Sequence, residues 1–186
     1  MPPEFVIFDL ETTGLKPRWN EIIEIGAIRV SADLTTEIGQ FEKKVLPTHI
    51  ETADPESLKV NGYLPINWTD AIDLKTALIE FAGFSKGGLL AGYNVSFDWM
   101  FLKEACVQHN VKFEIDYHVF DVFSVAWLHC QTFAQPKSLS LSSQAQLYAL
   151  PPQPEPHTAL ADARLTLGLL QAVSRRMGLT NKYFTV

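Results

Sequence analysis

The chain has 186 residues, of which 47% are hydrophobic and 19% are charged, and its formal net charge is −6. This length and composition are typical of one globular domain, so we expect a single domain over residues 1–186. The negative charge argues against a protein that grips long nucleic acid through many phosphates, because that affinity comes from clustered lysine and arginine. It does not exclude an enzyme that contacts only the end of a strand.

The first predicted element is a mostly buried strand within FVIFDLETTGL, residues 5–15. Its β-branched, aromatic and aliphatic residues favour a strand, and a Thr-Thr-Gly turn ends it. Side chains alternate faces along a strand, so Asp9 and Glu11 share one face. Two buried carboxylates repel each other, and a cation is one candidate to compensate them.

The other predicted elements follow from apolar periodicity and turn residues. Two β-rich stretches, 21–30 and 37–47, come directly after the first, which predicts three consecutive antiparallel strands. Further strands alternate with helices in the rest of the chain, which indicates an α/β layer fold with a mixed sheet. The remaining predicted elements are a short helix at 55–60, a helix from a Thr69 cap to about Phe84, a strand at 89–93, a helix at 96–110, a strand leading into a helix near Asp121, a helix at 136–150 and a last helix from about Thr158 to Met177.

No apolar run approaches the roughly twenty residues that a membrane span needs, and the N-terminal apolar stretch is too short and too acidic for a signal peptide. Cys106 and Cys130 are far apart and form no Cys-x-x-Cys pair, which argues against a zinc site or a disulfide framework. We therefore expect a soluble, cytoplasmic protein with no membrane association and with two buried, reduced thiols.

Three more residues join the first carboxylate pair. Asp98 lies in the first turn of its predicted helix on the apolar stripe, and Asp162 lies early in the last helix among apolar neighbours. His157 precedes that helix, after a proline-rich stretch. Each residue alone has an ordinary explanation, since acids often complement a helix dipole and histidines are common on surfaces. That explanation does not cover Asp9 and Glu11, because a pair on a strand face gains nothing from a helix terminus.

This combination fits metal-assisted hydrolysis of a phosphodiester. Ligand sets made only of oxygen atoms select hard cations such as Mg²⁺. Two such ions about 3.5–4 Å apart stabilise both the attacking and the leaving oxygen of an in-line displacement. An unperturbed histidine side chain titrates near pH 6.5, which suits a general base for the attacking water.

Three motifs in order resemble those of the DEDDh exonucleases, a family with a ribonuclease H-like fold that includes the proofreading subunit of bacterial replicative polymerases, ribonuclease T and oligoribonuclease. The motifs are FDLETTGL with Asp9 and Glu11, NVSFDWMFL with Asp98, and HTALADAR with His157 and Asp162. The five-residue step from histidine to aspartate matches the histidine branch of the family. The resemblance implies a three-layer fold with a mixed five-stranded sheet flanked by helices.

The resemblance also implies a role for each motif residue. Asp9 would bridge two Mg²⁺ ions, with Mn²⁺ as a substitute, while Glu11 and Asp162 hold one ion and Asp98 supports the other. His157 would be the general base, and the product would be a nucleoside monophosphate released from a 3′ end. The residues implied to bind the terminal nucleotide are Thr12, Thr13, Leu15, Asn61 and Phe97. Leu15 and Phe97 have core packing as an equal alternative.

Two positions depart from the family pattern: Tyr93 stands where many relatives have histidine, and Val122 follows Asp121 where threonine is common. Both departures concern substrate contacts rather than metal ligands. Because only the short stretch GLTNKYFTV follows the last predicted helix, we expect no long polymerase-binding extension, although a polymerase or repair partner could use another surface. Scattered cations that could meet phosphates are Lys16, Arg18, Lys103, Lys137 and Arg164.

Three functions remain open at this point. The first is a 3′-to-5′ exonuclease on single-stranded DNA, the second is the same reaction on RNA, and the third is a non-catalytic module on the same fold that binds nucleic-acid ends. The five motif residues argue against the third. Discrimination between DNA and RNA depends on contacts to the 2′-hydroxyl, to which the sequence assigns no residue, and the oligomeric state is equally open.

Overall fold

The computed structural model describes residues 3–114 and 117–178. These residues form a mixed sheet of five strands in the order β3-β2-β1-β4-β5. The first three strands are antiparallel to one another, whereas β4 runs parallel to β1 and β5 runs parallel to β4. The strands are β1 (Phe5–Thr12), β2 (Ile22–Val30), β3 (Glu37–Lys44), β4 (Leu89–Gly92) and β5 (Val119–Asp121).

Helices cover both faces of this sheet. One face, which carries Phe5 and Ile7 of β1, packs against the fourth, fifth and sixth helices, and the opposite face, which carries Val6 and Phe8, packs against the second and third. The helices are α1 (Pro55–Asn61), α2 (Leu74–Ser85), α3 (Ser96–Gln108), α4 (Val122–Cys130), α5 (Leu141–Leu147) and α6 (Ala159–Arg176). The predicted ribonuclease H-like, three-layer α/β fold is thereby confirmed.

Two predicted helices begin too early. The second helix starts at Leu74 rather than near Thr69, because the side chain of Asp73 caps it by accepting a hydrogen bond from the Thr76 amide. Ile72, just before that cap, instead bridges to Val45 beyond the end of β3. The fifth helix covers Leu141–Leu147 rather than 136–150, since Ser140 is its N-cap.

Both cysteines are buried and unpaired, as predicted. Across residues 3–114 and 117–178, none of the helices has the length and apolar character required to span a bilayer. The predicted tail at 178–186 lies outside the described residues, except for Gly178.

Candidate active site

The C-terminal half of β1 presents two carboxylates to the face that α6 covers. Asp9 lies opposite Gly26 of β2 in the strand register, and Glu11 lies opposite Glu24. Glu11 is buried, and Asp9 is half-buried. The alternation that was expected from the sequence therefore places both carboxylates on one face.

Asp98 reaches this end of β1 because the neighbouring strand stops short. β4 pairs with β1 only as far as Ile7, which leaves the amide of Leu10 without a strand partner on that edge. The first turn of α3 fills the gap, and the Leu10 amide donates a 3.0 Å hydrogen bond to Oδ1 of Asp98. Asp121, at the end of β5, accepts a 3.2 Å hydrogen bond from the Val95 amide and so holds the start of α3 in place.

The first turn of α6 lies directly on β2, and this contact delivers Asp162. A Cβ atom at Gly26 would come within about 2.1–2.2 Å of the Ala159 and Leu160 backbone, so only glycine permits this approach. Asp162, one turn into the helix, is buried. Its Oδ2 lies 3.2 Å from Nδ1 of His157, which precedes the helix. Glu11, His157 and Asp162 each offer a ligand atom, and these three atoms lie within 4.8 Å of one another.

Helix α1 connects the end of β1 to the segment that carries His157. Asn61 is 3% exposed, and its side-chain amide donates a 3.1 Å hydrogen bond to the Thr12 carbonyl. The neighbouring Val60 carbonyl accepts a 3.1 Å hydrogen bond from the His157 amide. Gly62 ends the helix with a φ of +64°, and a Cβ there would lie 2.6 Å from Pro156. This arrangement fixes the two chain segments that carry motif residues relative to each other.

Burial and mutual repulsion raise the carboxyl pKa values throughout the cluster. Burial raises the pKa of Asp9 well above its ordinary value, and the charges of Asp98, Asp162 and Glu11 raise it further. Burial and the neighbouring Asp162 raise the pKa of Glu11 to about 8. Burial raises the pKa of Asp98 to about 7, although its hydrogen bond from Leu10 opposes the rise. The pKa of Asp162 is also raised by burial, against the opposing contacts of Gln153 and His157.

Glu24 is a fifth carboxylate of the cluster that the sequence analysis missed. It is 1% exposed, and its Oε1 accepts a 3.1 Å hydrogen bond from the Ala159 amide in the first turn of α6. Burial and the charge of Glu42 raise its pKa to about 7. Its strand position could have revealed it, because an antiparallel pairing of β1 with β2 brings an inward-facing residue of β2 opposite Glu11.

The residues expected to bind the terminal nucleotide differ in exposure. Leu15 is 72% exposed and Phe97 is partly exposed, so both can be reached from solvent. Thr12 and Thr13 are buried, and Thr13 Oγ1 accepts a 2.8 Å hydrogen bond from the Glu21 amide. Asn61 lies beneath the site with both ends of its amide hydrogen-bonded to backbone groups. Contact of any of these five with a nucleotide stays a prediction.

The two departures from the family pattern, Tyr93 and Val122, lie directly after β4 and at the first residue of α4. The Tyr93 hydroxyl donates a 2.7 Å hydrogen bond to the Leu139 carbonyl, so it connects the end of β4 to the segment before α5. Among the five scattered cations, Arg164 pairs with Glu37 at 3.0 Å and Arg18 lies 3.6 Å from Glu104.

The residues present fit a hard divalent cation. Four buried or half-buried carboxylates, Asp9, Glu11, Asp98 and Asp162, meet with little positive charge among them. Oδ1 of Asp162 is buried and has no hydrogen-bond partner among the described residues. A buried polar oxygen without a partner costs free energy, and ligation of a cation is one way to recover it. Oxygen ligands of this kind suit Mg²⁺ or Mn²⁺ rather than soft metals.

Comparison with known proteins identifies an exonuclease family and relatives among bacterial DNA polymerases. The model of the RNase_T exonuclease family matches residues 6–170. The chain is 27% identical over 162 residues to a PolC-type DNA polymerase III of Thermotoga maritima and 30% identical over 181 residues to that of Lacticaseibacillus paracasei. These matches cover 87% and 92% of the chain but only 11% of each polymerase.

Solved structures of exonuclease I share the fold. An E. coli exonuclease I bound to single-stranded DNA, in a zinc-bound form, has a TM-score of 0.80 with 18% sequence identity. Exonuclease I of Methylocaldum szegediense has a TM-score of 0.79 with 19% identity. The matches cover 98% and 95% of this chain and 43% and 41% of those chains. From the family match, the three motifs and the fold together, the chain belongs to the RNase_T exonuclease family, within its DnaQ-like, DEDDh group.

Proposed function

We propose that this protein is a metal-dependent 3′-to-5′ exonuclease that removes nucleoside 5′-monophosphates from single-stranded nucleic acid, with DNA favoured over RNA. The observation that carries the proposal is the buried carboxylate cluster, in which β1, α3 and α6 bring four motif acids together beside His157. The single-stranded DNA bound to the E. coli exonuclease I of similar fold supports the choice of substrate. The PolC-type relatives support a role beside DNA synthesis or repair.

Two divalent cations, Mg²⁺ or Mn²⁺, are the cofactors that this donor set would hold. Asp9 would contact both ions, Glu11 and Asp162 one of them, and Asp98 the other. Such cations would act as Lewis acids that stabilise the negative charge developing on the phosphate oxygens. The carboxylates would otherwise repel a phosphate, so the same cations would also make the site attractive to the substrate.

His157 would accept the proton of the attacking water. Asp162 Oδ2 lies 3.2 Å from Nδ1 of the imidazole, and a hydrogen on Nδ1 directed at that oxygen would leave Nε2 to accept the proton. The water oxygen forms a bond to phosphorus as the bond from phosphorus to the 3′ oxygen of the preceding nucleotide breaks. That 3′ oxygen takes up a proton and ends the shortened strand, while the terminal nucleotide leaves as its 5′-monophosphate.

The terminal nucleotide would lie beside the turn after β1. The exposed Leu15 and the partly exposed Phe97 offer apolar surfaces on which a base can pack without sequence preference. The backbone at Thr12 and Thr13 would contact the sugar, and Asn61 would keep that backbone in place through its bond to the Thr12 carbonyl.

Digestion of end-labelled oligonucleotides tests the proposal. DNA and RNA strands of the same sequence, labelled at either end, are incubated with Mg²⁺, with Mn²⁺ or with EDTA. We expect mononucleotides from the 3′-labelled strand, a ladder that shortens one nucleotide at a time from the 5′-labelled strand, no cleavage in EDTA, and faster digestion of DNA.

The variant Asp162→Asn, prepared in parallel, controls for a contaminating nuclease and is expected to be inactive. Internal cleavage or release from the 5′ end would contradict the proposed polarity. Faster digestion of RNA would reverse the substrate preference. No cleavage by folded, metal-loaded protein would favour a module that only binds strand ends.

A further inference from the structure

A row of exposed apolar side chains leads away from the candidate active site. Leu15, Trp19, Met100 and Val107 are 72%, 68%, 53% and 77% exposed. They lie on two neighbouring segments, the turn after β1 and the outer surface of α3. A cluster of large exposed apolar residues on a soluble domain commonly marks a binding surface.

The last three of these residues share a groove of about 440 Å³ between the β1–β2 loop and α3. The loop contacts α3 at Arg18, whose Nε lies 3.6 Å from Oε1 of Glu104. We call this surface the Trp19 groove. Its main lining residues are Arg18, Trp19, Met100, Lys103, Glu104 and Val107.

The loop that presents Trp19 is held by hydrogen bonds. The Lys16 carbonyl accepts hydrogen bonds from the Trp19 and Asn20 amides at 2.9 and 2.8 Å. The Asn20 side chain accepts a 3.0 Å hydrogen bond from the Lys16 amide, and Thr52 Oγ1 donates to the Trp19 carbonyl at 3.2 Å. An exposed tryptophan on a fixed loop loses little conformational entropy when a ligand stacks on it.

The groove extends outward from the site where the strand end would be cut. Asp98, in the first turn of α3, contacts β1 through the Leu10 amide. Val107 is nine residues further along the same helix, which corresponds to about 14 Å at 1.5 Å per residue. Stacked nucleotides are spaced about 3.4 Å apart, so about four of them would span this length.

The charge of the groove matches a phosphate backbone. The Arg18 side chain is 74% exposed, and Lys103 of α3 is exposed. Lys16, two residues before Arg18 in the β1–β2 loop, is exposed as well. Glu104 lies 3.6 Å from Arg18, so the lining of the groove has two cations, Arg18 and Lys103, and one acid, on a chain with a net charge of −6. An aromatic platform flanked by cations is the combination with which proteins bind single strands without reading their sequence.

We propose that the Trp19 groove binds the nucleotides of a single strand that precede the 3′-terminal one, with a base stacked on Trp19. The proposal rests on the proposed exonuclease function. It makes the protein favour strands of several nucleotides over dinucleotides, because only the longer strand reaches Trp19.

Binding and kinetics of two substrates test this groove. The first is a 5′-fluorescein oligothymidylate of eight nucleotides whose last linkage is a phosphorothioate that slows hydrolysis, used for fluorescence anisotropy with Mg²⁺. The second is an unmodified thymidine dinucleotide, used for kcat/KM. The test variant is Trp19→Ser, and its matched control is Leu128→Ser, which removes a side chain of 69% exposure from α4 on the opposite face of the sheet.

Trp19→Ser is expected to weaken binding of the eight-nucleotide strand by about 5- to 150-fold, the equivalent of 1–3 kcal/mol for one stacked base. Its kcat/KM on the dinucleotide is expected to stay within about twofold of wild type. Leu128→Ser is expected to change neither quantity. In the wild type, raising the salt concentration should weaken binding of the longer strand, and Arg18→Gln or Lys103→Gln should reduce that salt dependence.

Binding of the longer strand that is unchanged by Trp19→Ser would overturn the proposal and would instead suit a surface that contacts a protein or a second copy of the chain. An equal loss on the dinucleotide would also overturn it, because the groove would then belong to the terminal subsite. Wild-type protein that binds the strand through Trp19 but hydrolyses neither the dinucleotide nor an unmodified eight-nucleotide strand would contradict the exonuclease function while leaving the groove intact.

Discussion

Carboxylates at two kinds of location in this molecule have opposite environments. At the turns, Asp33 accepts hydrogen bonds from Ser31 and Thr35, and Asp73 accepts them from Thr76 at the start of α2. Asp73 is exposed and Asp33 is partly exposed, and these donors lower the pKa values of both carboxylates. In the cluster, burial raises the pKa values of Asp9 and Glu11, and the charges of Asp98 and Asp162 raise both pKa values further.

The difference separates carboxylates that stabilise local structure from carboxylates arranged for a ligand. A turn carboxylate is surrounded by N–H and O–H donors, so its charge is compensated within the chain. The cluster has few such donors and includes Asp162 Oδ1 with no partner among the described residues. Such an arrangement lowers the stability of the cation-free protein, which is expected of a site shaped by function rather than by folding.

Loss of a carboxylate from the cluster should change activity more than any other substitution considered below. Asp9→Asn should abolish exonuclease activity, because the carboxylate proposed to contact both cations is lost. The cation-free variant should be at least as resistant to heat as the wild type at pH 8, since a repulsive charge has been removed. Activity assays and thermal melts in EDTA check both points.

The turn carboxylate Asp73 is the matched control for this substitution. Asp73→Asn should keep full activity and change the free energy of unfolding by less than about 1 kcal/mol, since asparagine also caps helices. Near-normal turnover by Asp9→Asn, or a clear loss of its stability in EDTA, would contradict the division between the two kinds of carboxylate.

The next effect is on proton transfer. His157→Gln should reduce kcat by about 10²- to 10⁴-fold, the usual contribution of a general base, and should leave most of the Mn²⁺ affinity intact. Steady-state kinetics with a Mn²⁺ titration measure both. A loss of cation binding comparable to that of Asp9→Asn would make His157 a ligand instead, which its position within 4.8 Å of the Glu11 and Asp162 ligand atoms would also allow.

Glu24 combines features of both kinds of carboxylate, because it lies in the buried cluster yet accepts a hydrogen bond from the Ala159 backbone amide. Glu24→Ala should cost about 1–3 kcal/mol of stability, since it leaves the buried Ala159 amide without an acceptor, and it should lower kcat by loosening the start of α6. Glu24→Gln retains an acceptor and should recover most of both. Hydrogen exchange at the Ala159 amide reports the loss directly.

An exposed acid away from the cluster provides the control for Glu24. Glu56→Ala removes a carboxylate from the first turn of α1 and should leave exchange at the Ala159 amide unchanged. If Glu24→Ala had the same exchange rate at the Ala159 amide and the same kcat as the wild type, the hydrogen bond from Ala159 to Glu24 would have no role in positioning α6.

The raised pKa values also make the stability of the cation-free protein depend on pH. The folded pKa of Glu11 is about 8 and that of Asp98 about 7, whereas free carboxyl side chains titrate near 4. The native state therefore binds more protons than the unfolded state between these values, and stability falls as the pH rises from about 4.5 to about 8. Melting temperatures in EDTA should decline over that range, and Mn²⁺ should stabilise the protein more at pH 8 than at pH 6. A flat profile in EDTA would contradict the raised pKa values.

Much of this architecture could be predicted from local sequence patterns. Alternation in β1 placed Asp9 and Glu11 on one face, and the three motifs indicated the family to which the chain belongs. Helix starts were less predictable where two capping residues compete, as with Thr69 and Asp73, because only the tertiary contact of Ile72 with the end of β3 decides between them.

The parts that sequence reasoning missed depend on contacts between distant segments. Glu24 reads as an ordinary strand residue until the β1–β2 register places it opposite Glu11 and Gly26 admits the start of α6 beside it. Asn61 was predicted as a nucleotide ligand, and its position beneath Thr12 follows from how α1 packs against the end of β1.

Cation binding by the carboxylate cluster can be measured by calorimetric titration of the metal-free protein with Mn²⁺ at pH 8, with Asp9→Asn measured beside it. We expect saturable Mn²⁺ binding to the wild type and binding that is lost or at least tenfold weaker in the variant. Equal binding by both proteins, or no saturable binding by the folded wild type, would contradict the claim that the buried carboxylates form a cation site.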